Sequence, residues 1–222
     1  MIEVEVKLQI KNREQLIGRL LGLSFEEAEG LYEEDIYFDD REGSIRKNGQ
    51  ALRVRLVENV NTGGSDTVIT FKGEKLDQVS MSREEIELGV LDFETAIHLL
   101  ESLGYFPVAP RVMKRRQEYV HRFREDAFKS EMSFSKITAC VDQVEGLGDF
   151  LELEILVEEA PSGDAATSGQ TAASGQAESS QTAQDKAEAL KEIETILYAL
   201  GYSFQDTTRN SYLSMLQGEE DA

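Results

Sequence analysis

Glu3, Glu5 and Lys7 stand at alternate positions near the start of the chain, with Val4 and Val6 between them and Ile2 before them. In an extended strand, side chains at i, i+2 and i+4 share one face. The pattern therefore presents two carboxylates and an ammonium together while Ile2, Val4, Val6, Leu8 and Ile10 face a core. Carboxylate oxygens are hard ligands for a divalent cation, and the ammonium suits an anion held beside it. The chemistry implied is that of a metal-bound anion. Alternation returns at Arg53 and Arg55, at Arg83, Glu85 and Glu87, and at Glu152 and Glu154, with Lys72 ending a strand and Lys114 to Arg116 forming a basic cluster. An antiparallel sheet with one solvated face also alternates. Here, however, the charges are segregated by strand into acidic and basic groups, which would face one another if the sheet closed.

A closed barrel of about eight strands has room inside for side chains or one small ligand. A lining of mixed charge is costly unless the charges are paired, bind metal or grip a polyanion. The candidate cations are Lys7, Arg53, Arg55, Lys72, Lys114, Arg116 and Arg209; the candidate anions are Glu3, Glu5, Asp142, Glu152 and Glu154, for a balance of +2. About two Mg²⁺ would raise this to roughly +6, enough to receive a triphosphate of about −4.

That local balance matters because the chain as a whole carries a formal charge of −20. Such an excess argues against duplex DNA or RNA as a partner, since neutralising a nucleic-acid backbone needs clustered Lys and Arg on an accessible face. At 222 residues with 40% hydrophobic content the chain reads as one cored domain. It shows neither an apolar run near membrane-spanning length nor a basic segment leading into an apolar one, so the expectation is a cytoplasmic protein off the membrane. The single cysteine, Cys140, excludes an intrachain disulfide and a multi-cysteine zinc cluster.

The elements that must position these groups are legible in outline. Asn12 with Gln15 three residues on caps a helix carrying Leu16, Ile17, Leu20 and Leu21 as far as Gly22. Leu31 to Phe38 reads as a strand, Ala51 to Val57 and Thr67 to Lys72 as a hairpin around Asn61-Thr62-Gly63-Gly64, and Met81 to Val90 as a further strand. Asp92 caps a second helix whose stripe is Phe93, Ala96, Ile97, Leu100 and Leu103, with Gly104 beyond its end. Val108 to Phe123, Phe134 to Val141 and Phe150 to Val157 complete about eight strands. Gly146-Leu147-Gly148 is too short for a phosphate cradle and reads as a turn that places Glu152. Residues 160–184 are almost all Ala, Ser, Thr, Gly and Gln, which cannot offset ordering entropy by burial, so they read as a flexible low-complexity linker inserted in one domain of 1–159 and 185–217. Asp185 then caps a helix with Leu190, Ile193, Ile196, Leu197 and Leu200, stopped by Gly201, and Thr208 to Leu213 has enough apolar content to pack back. His98 and His121 read as ordinary helix and strand positions.

Together these segments resemble the CYTH superfamily of triphosphate tunnel metalloenzymes, most closely its class IV adenylyl cyclase branch. The resemblance runs through Glu3 to Lys7, Asp35 to Asp39, Ala51 to Arg55, Thr70 to Gly73, Arg83 to Glu87, Lys114 to Arg116, Val141 to Glu154 and Arg209 to Tyr212. It implies an α+β fold built on a closed or nearly closed antiparallel eight-stranded barrel with flanking helices. It implies that Glu3, Glu5 and Glu152 hold Mg²⁺ or Mn²⁺ with Glu154 and Asp142 in support. It also implies that Lys7, Arg53, Arg55, Lys72, Lys114, Arg116 and Arg209 grip phosphates; Arg115 alternates to the other face. Glu3, Glu5, Lys7, Arg53, Lys72, Lys114, Asp142 and Glu152 form the implied catalytic group. The activity implied is conversion of ATP to 3′,5′-cyclic AMP and pyrophosphate, the alternative being hydrolysis of inorganic triphosphate, thiamine triphosphate or a nucleoside triphosphate. A homodimer is also implied. The linker from Ala160 is longer and more degenerate than the connection associated with that family.

Overall fold

The computed structural model describes residues 2–74, 83–123, 134–157 and 180–219. In chain order its elements are β1 (Ile2–Gln9), α1 (Arg13–Gly22), β2 (Glu26–Asp39), α2 (Ser44–Lys47), β3 (Ala51–Asn59), β4 (Ser65–Lys72), β5 (Arg83–Val90), α3 (Phe93–Ser102), β6 (Phe106–Arg122), β7 (Lys136–Val144), β8 (Gly148–Val157), α4 (Ser180–Ala199), β9 (Thr207–Thr208) and α5 (Tyr212–Gln217). Two antiparallel meanders, β2-β3-β4-β5 and β6-β7-β8, are joined by pairing of β2 with β6. β1 closes the circle, running antiparallel to β8 from Ile2↔Val157 to Gln9↔Phe150 and meeting β5 at Glu3↔Arg83. The result is the closed eight-stranded antiparallel barrel, with β9 as a short extra strand on β1.

Alternation turns the barrel inside out relative to a soluble sandwich. The apolar faces point outward and are covered by helices. Val4, Val6 and Leu8 of β1 pack with Leu151, Leu153 and Ile155 of β8 under Leu16 and Leu20 of α1, Ile193 and Leu197 of α4, and Leu200 just past its end. A second cluster sets Ile36, Phe38, Leu52 and Val54 against Ala96, Ile97 and Leu100 of α3. Charged side chains at the intervening positions are left facing inward, and the hydrophobic core fixes their register, because a one-residue slip would exchange the two faces.

Local signals account for the helix ends. Asn12 Oδ1 accepts from the Gln15 backbone N–H at 2.9 Å, and Asp92 Oδ1 from that of Thr95 at 2.7 Å, satisfying orphan donors of the first turns of α1 and α3. Gly201 sits at φ +83° beyond α4, a left-handed position open to glycine at little cost. Gly146 and Gly148 both take positive φ in the tight β7–β8 connection, the turn expected there.

Three expectations change. α4 begins at Ser180, not at an Asp185 cap; Asp185 lies inside the helix and is buried with Thr182 and Lys186. Gln and Ala are good helix formers, and polar residues buried on this turn give no apolar periodicity to detect. Leu103 is 64% exposed because it is the C-cap of α3, and Leu21 is 51% exposed on the outer side of α1. β2 starts at Glu26, five residues before the apolar pattern, carried by pairing to β6 rather than by burial. The rest of the proposed linker, 160–179, and positions 81–82 of the expected fifth strand lie outside the described residues.

Candidate active site in the barrel bore

One cavity of about 430 Å³ occupies the bore. By alternation, six strands contribute the following charged side chains. β1 supplies Glu3, Glu5 and Lys7; β3 supplies Arg53 and Arg55; β4 supplies Lys72; β5 supplies Arg83, Glu85 and Glu87; β6 supplies Lys114 and Arg116; β8 supplies Glu152 and Glu154. Asp142 of β7 lies behind this lining, fully buried. Arg209, half-buried after β9, is not among the lining residues. Arg115 is exposed, its guanidinium 5.9 Å from the ring centroid of Tyr32 on the outer face.

The carboxylates divide into two kinds. Glu3, Glu5 and Glu154 bring oxygen atoms within 4.8 Å of one another. Burial raises Glu3 well above its ordinary value; Lys72 opposes this, while Glu154, Glu85 and Glu5 reinforce it. Glu154 is pushed up to about 7 by burial, against the pull of Arg116, with Glu152 and Glu5 adding to the rise. Glu5 Oε1 is buried without a hydrogen bond and 3.5 Å from Lys7 Nζ. Crowded, desolvated oxygens with spare lone pairs suit a hard divalent cation. The residues present therefore fit a metal, and Glu3, Glu5 and Glu154 would hold it.

Glu152 and Asp142 are engaged otherwise. Glu152 lies 3.1 Å from Lys7 Nζ and pairs with Arg116, and despite burial these cations and Lys114 hold it well below its ordinary value. Asp142 accepts from Lys114 Nζ at 2.8 Å, from Arg116 Nε and Nη2 at 2.8 Å each, and from the Tyr212 hydroxyl at 3.1 Å. It is the anchor of the basic cluster. The Tyr212 ring lies under two ammonium groups, 4.4 Å from Lys7 Nζ and 5.3 Å from Lys114 Nζ.

The arginines divide as well. Arg55 is saturated by protein: Nε and Nη2 reach Asp35 at 2.6 and 2.8 Å, and Nη1 reaches Glu33 at 2.8 Å. Arg53 is held loosely, 3.6 Å from Asp35 and 3.4 Å from Thr70 Oγ1, with its Nε buried and unpartnered. Lys72 pairs with Glu85 and stands 3.6 Å from Glu3.

Glu33, Asp35, Glu85 and Glu87 were absent from the sequence-derived charge balance. Glu33 and Asp35 stand two apart like Glu3 and Glu5, a spacing that could have revealed them; Asp35 lies in register opposite Arg55, and Glu33 reaches the same guanidinium from beside it. With Arg83 in and Arg209 out, seven cations meet nine anions in the bore, a formal net of −2 in place of +2. With all groups ionised the bore is thus self-neutralised to slightly acidic.

At one end the cavity changes character. Val108 and Leu213 line it there together with Phe38, Leu52 and Ile45, which also belong to the cluster packed on α3, and with Gln50, Ser211 and Gln217 among them. α2 and α5 frame this mouth. Asp39 holds α2 by accepting from the backbone N–H of Ile45 and Arg46 at 2.9 and 3.1 Å, and Arg46 pairs with Glu219 at 2.8 Å beyond α5. The sequence offered no sign of this chamber, whose walls come from five separate segments.

The CYTH domain model matches residues 1–212. The chain belongs to the CYTH domain family. This CYTH chain is 32% identical over 215 residues to a Methanocaldococcus jannaschii protein named "Putative adenylate cyclase MJ0240", covering 97% of this chain and 98% of that one. It is 28% identical over 158 residues to "Adenylate cyclase CyaB" of Aeromonas hydrophila, covering 71% and 70%. The solved structure of the PH1819 protein from Pyrococcus horikoshii superposes with a TM-score of 0.72 at 28% identity, covering 97% and 98%.

Proposed function

We propose that this CYTH chain is a metal-dependent adenylyl cyclase of the class IV kind, converting ATP to 3′,5′-cyclic AMP and pyrophosphate in the bore. The observation that carries this reading is the two-part cavity: a charged bore runs into an apolar-walled mouth, in a volume of about 430 Å³ that suits one nucleotide-sized ligand. An inorganic triphosphate has no use for Phe38, Leu52, Val108 and Leu213, whereas a nucleoside does. The cyclase names of the two relatives point the same way.

In this reading Lys7, Arg53, Lys72, Lys114 and Arg116 meet phosphate oxygens, and Arg55 with Asp35 and Glu33 stiffens the wall behind Arg53. Mg²⁺ or Mn²⁺ at Glu3, Glu5 and Glu154 supplies charge neutralisation at the phosphates. The mouth fixes the nucleoside so that the ribose 3′-oxygen faces the α-phosphorus. The O3′–P bond forms, the bond from that phosphorus to the bridging oxygen of pyrophosphate breaks, and the hydroxyl proton passes to a base. Positioning and electrostatic stabilisation carry most of the acceleration.

The protein is taken to act in the cytoplasm without nucleic acid or membrane; among the described residues no helix is long and apolar enough to cross one. A homodimer is favoured by Ile86 and Leu88, each 60% exposed on the outer face of β5. The test is product analysis after incubation with Mg²⁺ or Mn²⁺ and, separately, ATP, tripolyphosphate and thiamine triphosphate. Cyclic AMP from ATP, lost in Glu3→Gln, supports the reading; orthophosphate without cyclic AMP replaces it with triphosphate hydrolysis.

A further inference from the structure

Among the described residues, no ring but that of Tyr212 is shared by two cations. Lys7 Nζ of β1 lies 4.4 Å from its centroid and Lys114 Nζ of β6 lies 5.3 Å from it. The two ammonium groups also converge on one carboxylate, Glu152, at 3.1 and 3.9 Å. The ring is buried and fixed from three sides. Phe150 of β8 meets it nearly edge-on, with centroids 5.1 Å apart and planes at 74°. The Tyr212 hydroxyl donates to Asp142 of β7 at 3.1 Å, and Ser211, accepting from the Ser214 backbone N–H at 3.2 Å, caps the helix α5 that carries the ring. A ring locked in this way presents its face at a set place and does not follow the lysines.

A carboxylate cancels the charge of the ammonium it holds, whereas a neutral ring attracts the ammonium through its quadrupole and leaves the charge intact. An anion entering the bore therefore competes with Glu152, Asp142 and Glu33 for the two lysines, but not with Tyr212. We propose that Tyr212 is a positioning residue that holds Lys7 and Lys114 together for one anionic group of the ligand, acting through the two lysines and not by touching the ligand. This rests on the bore being the triphosphate site. Without the ring, both ammonium groups settle onto the carboxylates, and binding must first draw them away; the ring lowers that reorganisation cost. The role also ties α5, which frames the mouth, to the cations deeper in the bore. Tyr212 is far in sequence from Lys7 and Lys114, and only the packing of α5 against β6 and β8 brings its ring between them.

The experiment is calorimetric titration with α,β-methylene ATP in Mg²⁺ of wild type, Tyr212→Leu, Tyr212→Phe, and the Tyr212→Phe chain carrying one, two or three fluorines on that ring. Fluorines withdraw density from the ring face and change its shape little, so a side chain that merely packs is indifferent to them. The expected result is that Tyr212→Phe binds within about threefold of wild type, and that affinity falls with each fluorine to about tenfold weaker with three. Tyr212→Leu is expected to bind at least as weakly as the last of these. Equal affinity across the fluorine series, with wild-type binding intact, overturns the inference alone. A loss already complete in Tyr212→Phe overturns it too, since the hydroxyl on Asp142 and not the ring would then carry the effect. A wild-type chain that takes up neither the analogue nor tripolyphosphate overturns the reading of the bore and this inference with it.

Discussion

At the scale of single residues, like charges in the bore do unlike work, and the difference lies in what already occupies them. Asp142 illustrates this. Three donors, Lys114, Arg116 and Tyr212, converge on a carboxylate with no exposed surface. Replacing it leaves two buried cations short of a partner, so Asp142→Asn is expected to lose about 3–5 kcal/mol of stability. Urea unfolding measures this, and a loss below about 1 kcal/mol contradicts the anchoring role. Glu3 and Glu154 carry the opposite sign. A carboxyl raised in the folded state holds its proton more tightly there, so its stabilising contribution is complete below the ordinary value of 4.5 and is lost as pH climbs, for Glu154 through about 7. Glu152 and Asp35, which are lowered, lose their contribution only as pH falls below the ordinary carboxylate range. Between about 4.5 and 7 the raised pair therefore sets the slope. The thermal midpoint in EDTA should fall across that window, and Mg²⁺, which binds the deprotonated carboxylates, should flatten or reverse the fall. A midpoint in EDTA that climbs across it contradicts this account.

At the scale of elements, the outer faces of the strands and the helices that cover them form one hydrophobic layer, and the placement of every charge inside depends on it. Leu197 of α4 is fully buried over β1 and β8. Leu197→Ala is expected to cost about 2–5 kcal/mol in denaturant titration, and turnover should fall once the register of Glu3, Glu5 and Glu154 loosens. The same layer explains what could be read from the sequence. β1 and β8 announced themselves because a strand with one buried face alternates strictly, and Asn12 and Asp92 announced helices because caps are local. Glu33 and Asp35 stayed hidden because their importance comes from a strand partner, Arg55, twenty residues away, and the mouth stayed hidden because α2, α5 and three strand ends meet only in three dimensions. The roles within the acidic group were equally out of reach. Glu152 and Glu154 share a face in sequence, but only the folded barrel brings Lys7 beside one and Glu3 beside the other.

At the scale of the whole molecule, a chain of net charge −20 surrounds a bore whose own charges come to about −2 with all groups ionised. Neither the exterior nor the lining attracts a polyanion unaided. Divalent cations are then a condition of entry as well as of chemistry, since about two of them turn the bore positive. This is the central claim, and the metal dependence of nucleotide uptake tests it most directly. Titration of the wild-type chain with α,β-methylene ATP should give saturable binding in Mg²⁺ and at least about a hundredfold weaker binding in EDTA. Equal affinity in EDTA and in Mg²⁺ would contradict the account.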